Sequence, residues 1–259
     1  MTTPAVGAGA PRQRGLTARS MILSAFLGSG APARASDILS LADMMGLGQS
    51  AVRVALTRMV AAGDLERAHG VYRLSPRLLA RQERQEEALN PRVHAWNGQW
   101  TMVVVATPGG TASERSSLRD ALRQSRFREL RDGVWTRPNN VETNLPAHLS
   151  DRSTRFVATP VDSAVELTER LFQPAEWSDF AESLLMDPAL DGPLGVRFEL
   201  AAAMIRHLLD DPLLPDELSP PEWPGTRLRA SYDRFRREFA RLAEHHLGHP
   251  VTTEEFTPD

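Results

Sequence analysis

The sequence contains no cysteine and no lysine; all 30 basic residues are arginine. Without a thiol, disulfides, thiolate zinc sites and redox switching are excluded. Without lysine, Schiff-base chemistry and the lysine-dependent phosphate-binding loop are excluded as well. Long apolar runs are also missing. Nothing approaches the ~18 residues that suggest a membrane span, and residues 1–15 lack the basic-then-apolar order of a secretion signal. These absences predict a cytoplasmic protein with no membrane partner. Aromatic residues make up only 6% of the chain, so each of its five tryptophans has a core or interface to fill before any other role.

Charge is unevenly placed within a net −3. Residues 1–92 hold 12 Arg against 7 Asp and Glu, a balance of +5, whereas residues 93–259 hold 18 against 26, a balance of −8. A basic end on an acidic body directs a polyanionic partner to the N-terminal part.

Residues 1–15, rich in Ala, Gly and Pro, read as a disordered arm whose Arg12 and Arg14 can reach phosphates. From Thr17, a capping residue, Met21, Ile22, Phe26 and Leu27 recur at helical spacing up to Gly28. Ser36 caps a second helix carrying Ile38, Leu41, Ala42 and Met45, closed by Gly46. Gln49 and Ser50 open a third, with Val52, Ala55, Leu56, Met59 and Val60 on its apolar face and Gly63 as its stop. Two short strands, 64–67 and 71–74, flank a turn at Ala68, His69 and Gly70. Three helices and a hairpin, with a tight turn between the last two helices, make a winged helix-turn-helix domain over 16–75.

On this reading the solvent face of the third helix shows Gln49, Ser50, Arg53, Val54 and Thr57, flanked by Arg58. Gln and Arg there offer bidentate contacts to adenine and guanine, and Ser and Thr reach phosphate or base; Ser50 can instead cap the helix. Around the wing, Arg67, His69 and Arg73 suit a backbone or a narrow minor groove, with His69 placed as a turn residue. Arg19, at the start of the first helix, is a candidate phosphate clamp.

Residues 76–92 predict a charged linker helix. Asn97-Gly98, between Trp96 and Trp100, marks a tight turn. A buried strand at 101–106, a helix at 112–126, strands at 133–136 and 155–158 and a helix at 163–172 then outline a ferredoxin-like domain over 93–173. Beyond Pro174, helices near 175–186, 194–210 and 226–246, separated by Pro-rich breaks, form a helical C-terminal domain over 174–259, read as the effector and dimerisation part. The fold class expected is α+β.

Catalytic motifs are absent. The seven His residues show no metal-ligand helical spacing, although His245, His246 and His249 lie close in sequence. Ser116 and Ser117 lack a nucleophile-elbow context, and Gly109 and Gly110 form no phosphate cradle. The strand ending at 106–108 brings no carboxylate of the kind a metal-dependent nuclease on this fold needs. No catalytic residue, metal site or cofactor is therefore expected. Two rival readings stay open: a metal-dependent nucleic-acid-processing enzyme on the ferredoxin-like domain, and a winged-helix adaptor that binds proteins.

Three stretches together resemble the PaaX family of bacterial repressors, over residues 17 to 246. They are SAVRVALTRMVAAGDLER followed by the wing; WNGQWTMVV, in which Asn97 stands where the family usually has Asp; and LLDDPLLPDELSPPEWPG. The resemblance implies a homodimer that holds a double-stranded DNA operator and is released by a small effector, an aryl-CoA thioester in the founding type. Met204, Ile205, Arg206 and His207 replace the Tyr and paired Arg expected ahead of the third stretch, which makes a different effector a possibility to test. Candidate effector contacts are Trp96, Trp100, Trp135, Arg137 and Arg206, the rings for an apolar body and the guanidiniums for an anionic group.

Overall fold

A computed structural model of the chain describes residues 17–29, 31–105, 111–143, 145 and 152–246. The expected arm at 1–15 with Arg12 and Arg14, the strand end at 106–108, the turn at Gly109 and Gly110, His148 and His249 lie outside these residues. The fold is α+β. It divides into two compact units, one of residues 1–79, 192–199 and 237–259, the other of 80–191 and 200–236.

In the first unit the Thr17 hydroxyl accepts the Ser20 N–H at 3.1 Å and starts α1, Ala18–Ser29. There follow β1 (Ala33–Arg34), α2 (Ala35–Met44), α3 (Gln49–Ala61), β2 (Leu65–Ala68) and β3 (Val71–Leu74). Met21, Ile22 and Phe26 of α1, Ile38 and Leu41 of α2, and Val52, Leu56 and Met59 of α3 are all buried. Each such side chain contributes about 1.5–3 kcal/mol, so the helical periodicity translates directly into a three-helix core. Helices α2 and α3 end alike. Gly46 and Gly63 adopt φ +70 and +68, and the N–H groups of Leu47 and Asp64 reach back to the Ala42 and Met59 carbonyls at 2.9 and 2.8 Å.

The small antiparallel sheet runs β1-β3-β2. Its hairpin pairs Ala68 with Val71 across His69 and Gly70, both at positive φ (49 and 81), the geometry of a tight two-residue turn. Two caps differ from expectation. Asp37, not Ser36, serves the start of α2, its carboxylate accepting the Arg34 N–H at 3.2 Å, because the N-cap is Arg34 and the helix begins two residues earlier than a Ser36 cap implies. Gly48 is the N-cap of α3, which leaves Ser50 inside the first turn with its hydroxyl uncommitted to capping.

The second unit takes in most of α4 (Pro76–Leu89), β4 (Trp100–Val105), α5 (Ala112–Gln124), β5 (Arg128–Arg131), β6 (Val134–Pro138), β7 (Ser153–Ala158), α6 (Ala164–Phe172), α7 (Pro174–Leu185), and most of α8 (Leu194–Leu209) and α9 (Gly225–His246). Its four strands are all antiparallel in the order β5-β6-β4-β7. In chain order that is 2-3-1-4, the ferredoxin-like arrangement. Strand β5 was not foreseen: Arg-Glu-Leu-Arg has no apolar alternation, and as an edge strand it needs none. Val103, Leu122, Phe127 and Trp135 fill the space between sheet and α5, and Trp100 packs with Leu167, Phe172, Leu214 and Leu218. A larger helical core gathers Ala88, Trp177, Leu184, Met204, Leu208 and Leu228.

Asp64 closes the first unit. It is 2% exposed, accepts Arg19 at 2.7 Å and pairs with Arg77, and its backbone carbonyl accepts the Ser75 N–H at 3.0 Å. Burial alone would raise its carboxyl, but the hydrogen bonds and charges of Arg19 and Arg77 hold it below the ordinary value of 3.8. Its contribution is therefore complete above that value and is lost as pH falls through the lower folded-state pKa. Asp64→Asn should destabilise this unit by about 1–3 kcal/mol, toward the lower end because Arg19 and Arg77 are 58% and 67% solvent-exposed. Melts of wild type and variant should diverge at neutral pH and converge in acid. A constant gap down to the lowest pH at which the protein folds would show that the pair contributes nothing.

Candidate nucleic-acid interface and an arginine-lined cavity

Helix α3 separates its residues cleanly. Val52, Leu56 and Met59 face the core, while Gln49, Ser50, Arg53, Val54, Thr57 and Arg58 are exposed, as the periodicity predicts. The Thr57 hydroxyl donates to the Arg53 carbonyl at 3.0 Å, which leaves its oxygen lone pairs outward. Neither Arg53 nor Arg58 forms an ion pair with a described residue. Val54 is 49% exposed in the middle of this polar face.

The wing holds its arginines differently. Arg73 faces Glu66 across the hairpin and donates from Nε at 2.7 Å, so its charge is locally compensated. Arg67 is exposed, its guanidinium 5.7 Å from the centre of the Tyr72 ring. His69 is exposed at the tip, in the turn position expected of it. Arg19, the candidate phosphate clamp, donates to Asp64 at 2.7 Å, because the buried carboxylate lies within reach of the first turn of α1.

The effector candidates are dispersed. Trp135 and Trp100 are buried in the two sheet cores at 1% and 3% exposure. Trp96 is half-buried, its indole N–H donating to the Gln99 carbonyl at 2.6 Å. Arg206 is exposed on α8. The neighbouring Met204 and Ile205 lie in the helical core, and His207 stacks on Trp177 with ring centres 4.3 Å apart. The replaced stretch is thus largely core and stacking surface.

Arg137 alone of these lines a cavity of about 550 Å³ within the second unit. It is 1% exposed, and its Nε, Nη1 and Nη2 donate to the Pro138 carbonyl at 3.1 Å, the Ser125 carbonyl at 3.5 Å and Asn140 Oδ1 at 3.3 Å. No described carboxylate forms an ion pair with it. Burial, then the charges of Arg126 and Arg128, push its pKa down to about 9, so at neutral pH it keeps a full positive charge. Asn140 passes the network on by donating to the Leu213 carbonyl at 2.9 Å. Asp211, fully buried, accepts the Leu213 N–H at 2.9 Å and Arg229 at 2.6 Å, and its carbonyl accepts Arg126 Nε at 3.0 Å.

Sequence reasoning missed Arg126, Asn140 and Asp211. The signal for Arg126 was faint: it follows α5 at a position where a helix usually ends on glycine, and it adopts φ +64. Asp211 and Asn140 belong to no motif of fixed spacing, and their roles arise only when distant segments meet. Among the described residues, no group of three or more His, Asp and Glu side chains is placed to hold a metal ion, and no helix is long and apolar enough to cross a membrane.

Three family models match the chain in succession. One described as a PaaX-like protein covers residues 17–78, one described as the PaaX protein central Cas2-like domain covers 93–169, and one described as the PaaX-like protein C-terminal domain covers 194–249. Among solved structures, the uncharacterized protein Rv0674 from Mycobacterium tuberculosis is similar, with 44% identity and a TM-score of 0.76 over 89% of this chain and 98% of that one. No curated protein matches the chain.

Proposed function

The chain belongs to the PaaX family, a family of transcription regulators rather than enzymes, and from that premise we propose that it binds a double-stranded DNA operator as a homodimer through α3 and the wing. The observation that carries this reading is the exposed face of α3: Gln49, Ser50, Arg53, Thr57 and Arg58 stand in its first three turns, where a recognition helix meets base edges. Val54 fits the same role, since an apolar side chain among hydrogen-bonding ones suits a thymine methyl. Residues 16–75 are the DNA-binding domain, 93–173 the ferredoxin-like domain and 174–259 the effector and dimerisation part, and repression is relieved when a small anionic effector, such as an acyl- or aryl-CoA thioester, is bound. Linkage requires that the effector bind the DNA-free form more tightly than the DNA-bound form.

Arg53→Ala should weaken operator binding by about 1–3 kcal/mol and relax preference at one base pair per half-site. Arg67→Ala should weaken binding to operator and scrambled DNA alike and lower the salt slope by about one unit per site. Both variants should melt like wild type, because both side chains are exposed. Titrations on the two DNAs at several salt concentrations separate these effects. Undiminished operator binding by a folded Arg53→Ala protein would mean that α3 is not the reading helix.

Acyl- and aryl-CoA thioesters should also release the operator and raise the melting temperature by mass action. A panel that leaves both readouts unchanged would remove thioesters as the effector class.

A further inference from the structure

The Arg137 cavity combines two features that a folded chain rarely keeps without a use. The first is a buried charge that forms no ion pair with a described carboxylate. A guanidinium has five N–H donors; Arg137 directs three to neutral acceptors, two of them at 3.3 and 3.5 Å. Buried charges in proteins are ordinarily paired, and here the nearest acid is already engaged: Asp211 is held by Arg229 and the Leu213 N–H. Arg126, lining the same cavity, adds a second positive charge. The acids along the lining do not neutralise Arg137 either, for Glu87 and Glu142 are exposed and Glu86 pairs with Arg236.

The second feature is backbone strain. Five described non-glycine residues adopt the left-handed region, and two of them, Arg126 at φ +64 and Leu213 at φ +50, line this one cavity. Such conformations concentrate where surrounding structure holds a ligand site in shape. Hydrogen bonds from Asn140 and to Asp211 hold Leu213, and Arg126 is tied through Nε to the Asp211 carbonyl. The volume, about 550 Å³, suits a small organic molecule. Ala121, Val141 and Leu213 offer it apolar contact, and Asn90, Gln124 and Thr143 offer neutral polar groups.

We infer that this cavity is a binding site for a small organic oxyanion, whose carboxylate or phosphate bonds to the N–H groups that Arg137 has left and lies beside Arg126. The assignment of this ligand as the effector rests on the regulator reading; the binding site itself does not.

The test uses the full-length protein without DNA. Benzoate and adenosine monophosphate probe the two oxyanions, and benzamide and adenosine are their uncharged counterparts, each followed by calorimetric titration and thermal shift. At least one oxyanion should bind and raise the melting temperature while its neutral counterpart does not. Arg126→Gly should fold, because glycine takes φ +64 without strain, and should bind the oxyanion roughly ten-fold more weakly or worse. Arg137→Gln should lose binding altogether. Equal binding of charged and neutral probes, no binding of either oxyanion by wild type, or full affinity in Arg126→Gly would each overturn the site. Operator affinity is measured separately with and without the bound probe. Release supports the effector role, whereas retention with the probe bound overturns that role and leaves the anion site standing. Arg126→Gly should hold its operator as wild type does, so a failure of DNA binding itself would be visible as a distinct result.

Discussion

Each unit of this protein closes on a buried aspartate gripped by guanidinium groups. Asp64, at the junction of α3 and the wing, takes Arg19 and Arg77; Asp211 takes Arg229 through its carboxylate and Arg126 through its carbonyl. A buried carboxylate is costly to desolvate unless several donors reach it at once. The planar, multi-donor guanidinium does this better than a single ammonium, so a chain without lysine is well equipped for the purpose. The position of Asp64 matters as much as its partners. Its own N–H completes the end of α3 and its carbonyl receives Ser75 beyond the wing, so one residue ties α3 to the hairpin.

That demand draws some arginines of the basic end into the structure and leaves others exposed. Arg19, Arg73 and Arg77 are bound to acids of the same unit, and the positive balance of residues 1–92 therefore overstates what a polyanion meets. Arg53, Arg58 and Arg67 keep exposed guanidiniums without a described ion pair. Sequence charge counting sees one undifferentiated basic segment. The structure separates cations that build the domain from cations left exposed, among them Arg53 and Arg58 on α3 and Arg67 on the first wing strand.

How much was legible follows from how local each signal was. The helices of the first unit were readable because apolar period and terminal glycine lie within one helix, as with Val52, Leu56, Met59 and Gly63 of α3, whereas the caps of α2 and α3 fell on Arg34 and Gly48, which their residue types did not announce. The exposed face followed from the same period. The role of Arg19 was not readable, because Asp64 lies 45 residues away and only folding brings the two together. Strand β5 escaped because an edge strand is defined by its partner, and Arg128–Arg131 owes its conformation to pairing with β6. The tryptophans were attractive as pocket walls on size alone, but Trp135 and Trp100 are rings around which the sheet cores close. Arg137 stands out in the sequence for its charge, whereas its burial depends on β6, which carries it into the interior.

Places where local preference and final structure disagree are informative, because agreement between the two is what makes a chain fold to one state. Most of this chain agrees with itself. The exceptions include an apolar Val54 left in water on α3, an arginine at a position built for glycine, a leucine in the left-handed region, and a buried cation with no ion pair among the described residues. The last three share a single cavity, joined through Asn140, Leu213 and Asp211. Independent accidents of packing would be scattered. Their convergence on one network is what the proposed site accounts for: an oxyanion beside Arg137 would bring negative charge to a cavity that two arginines line.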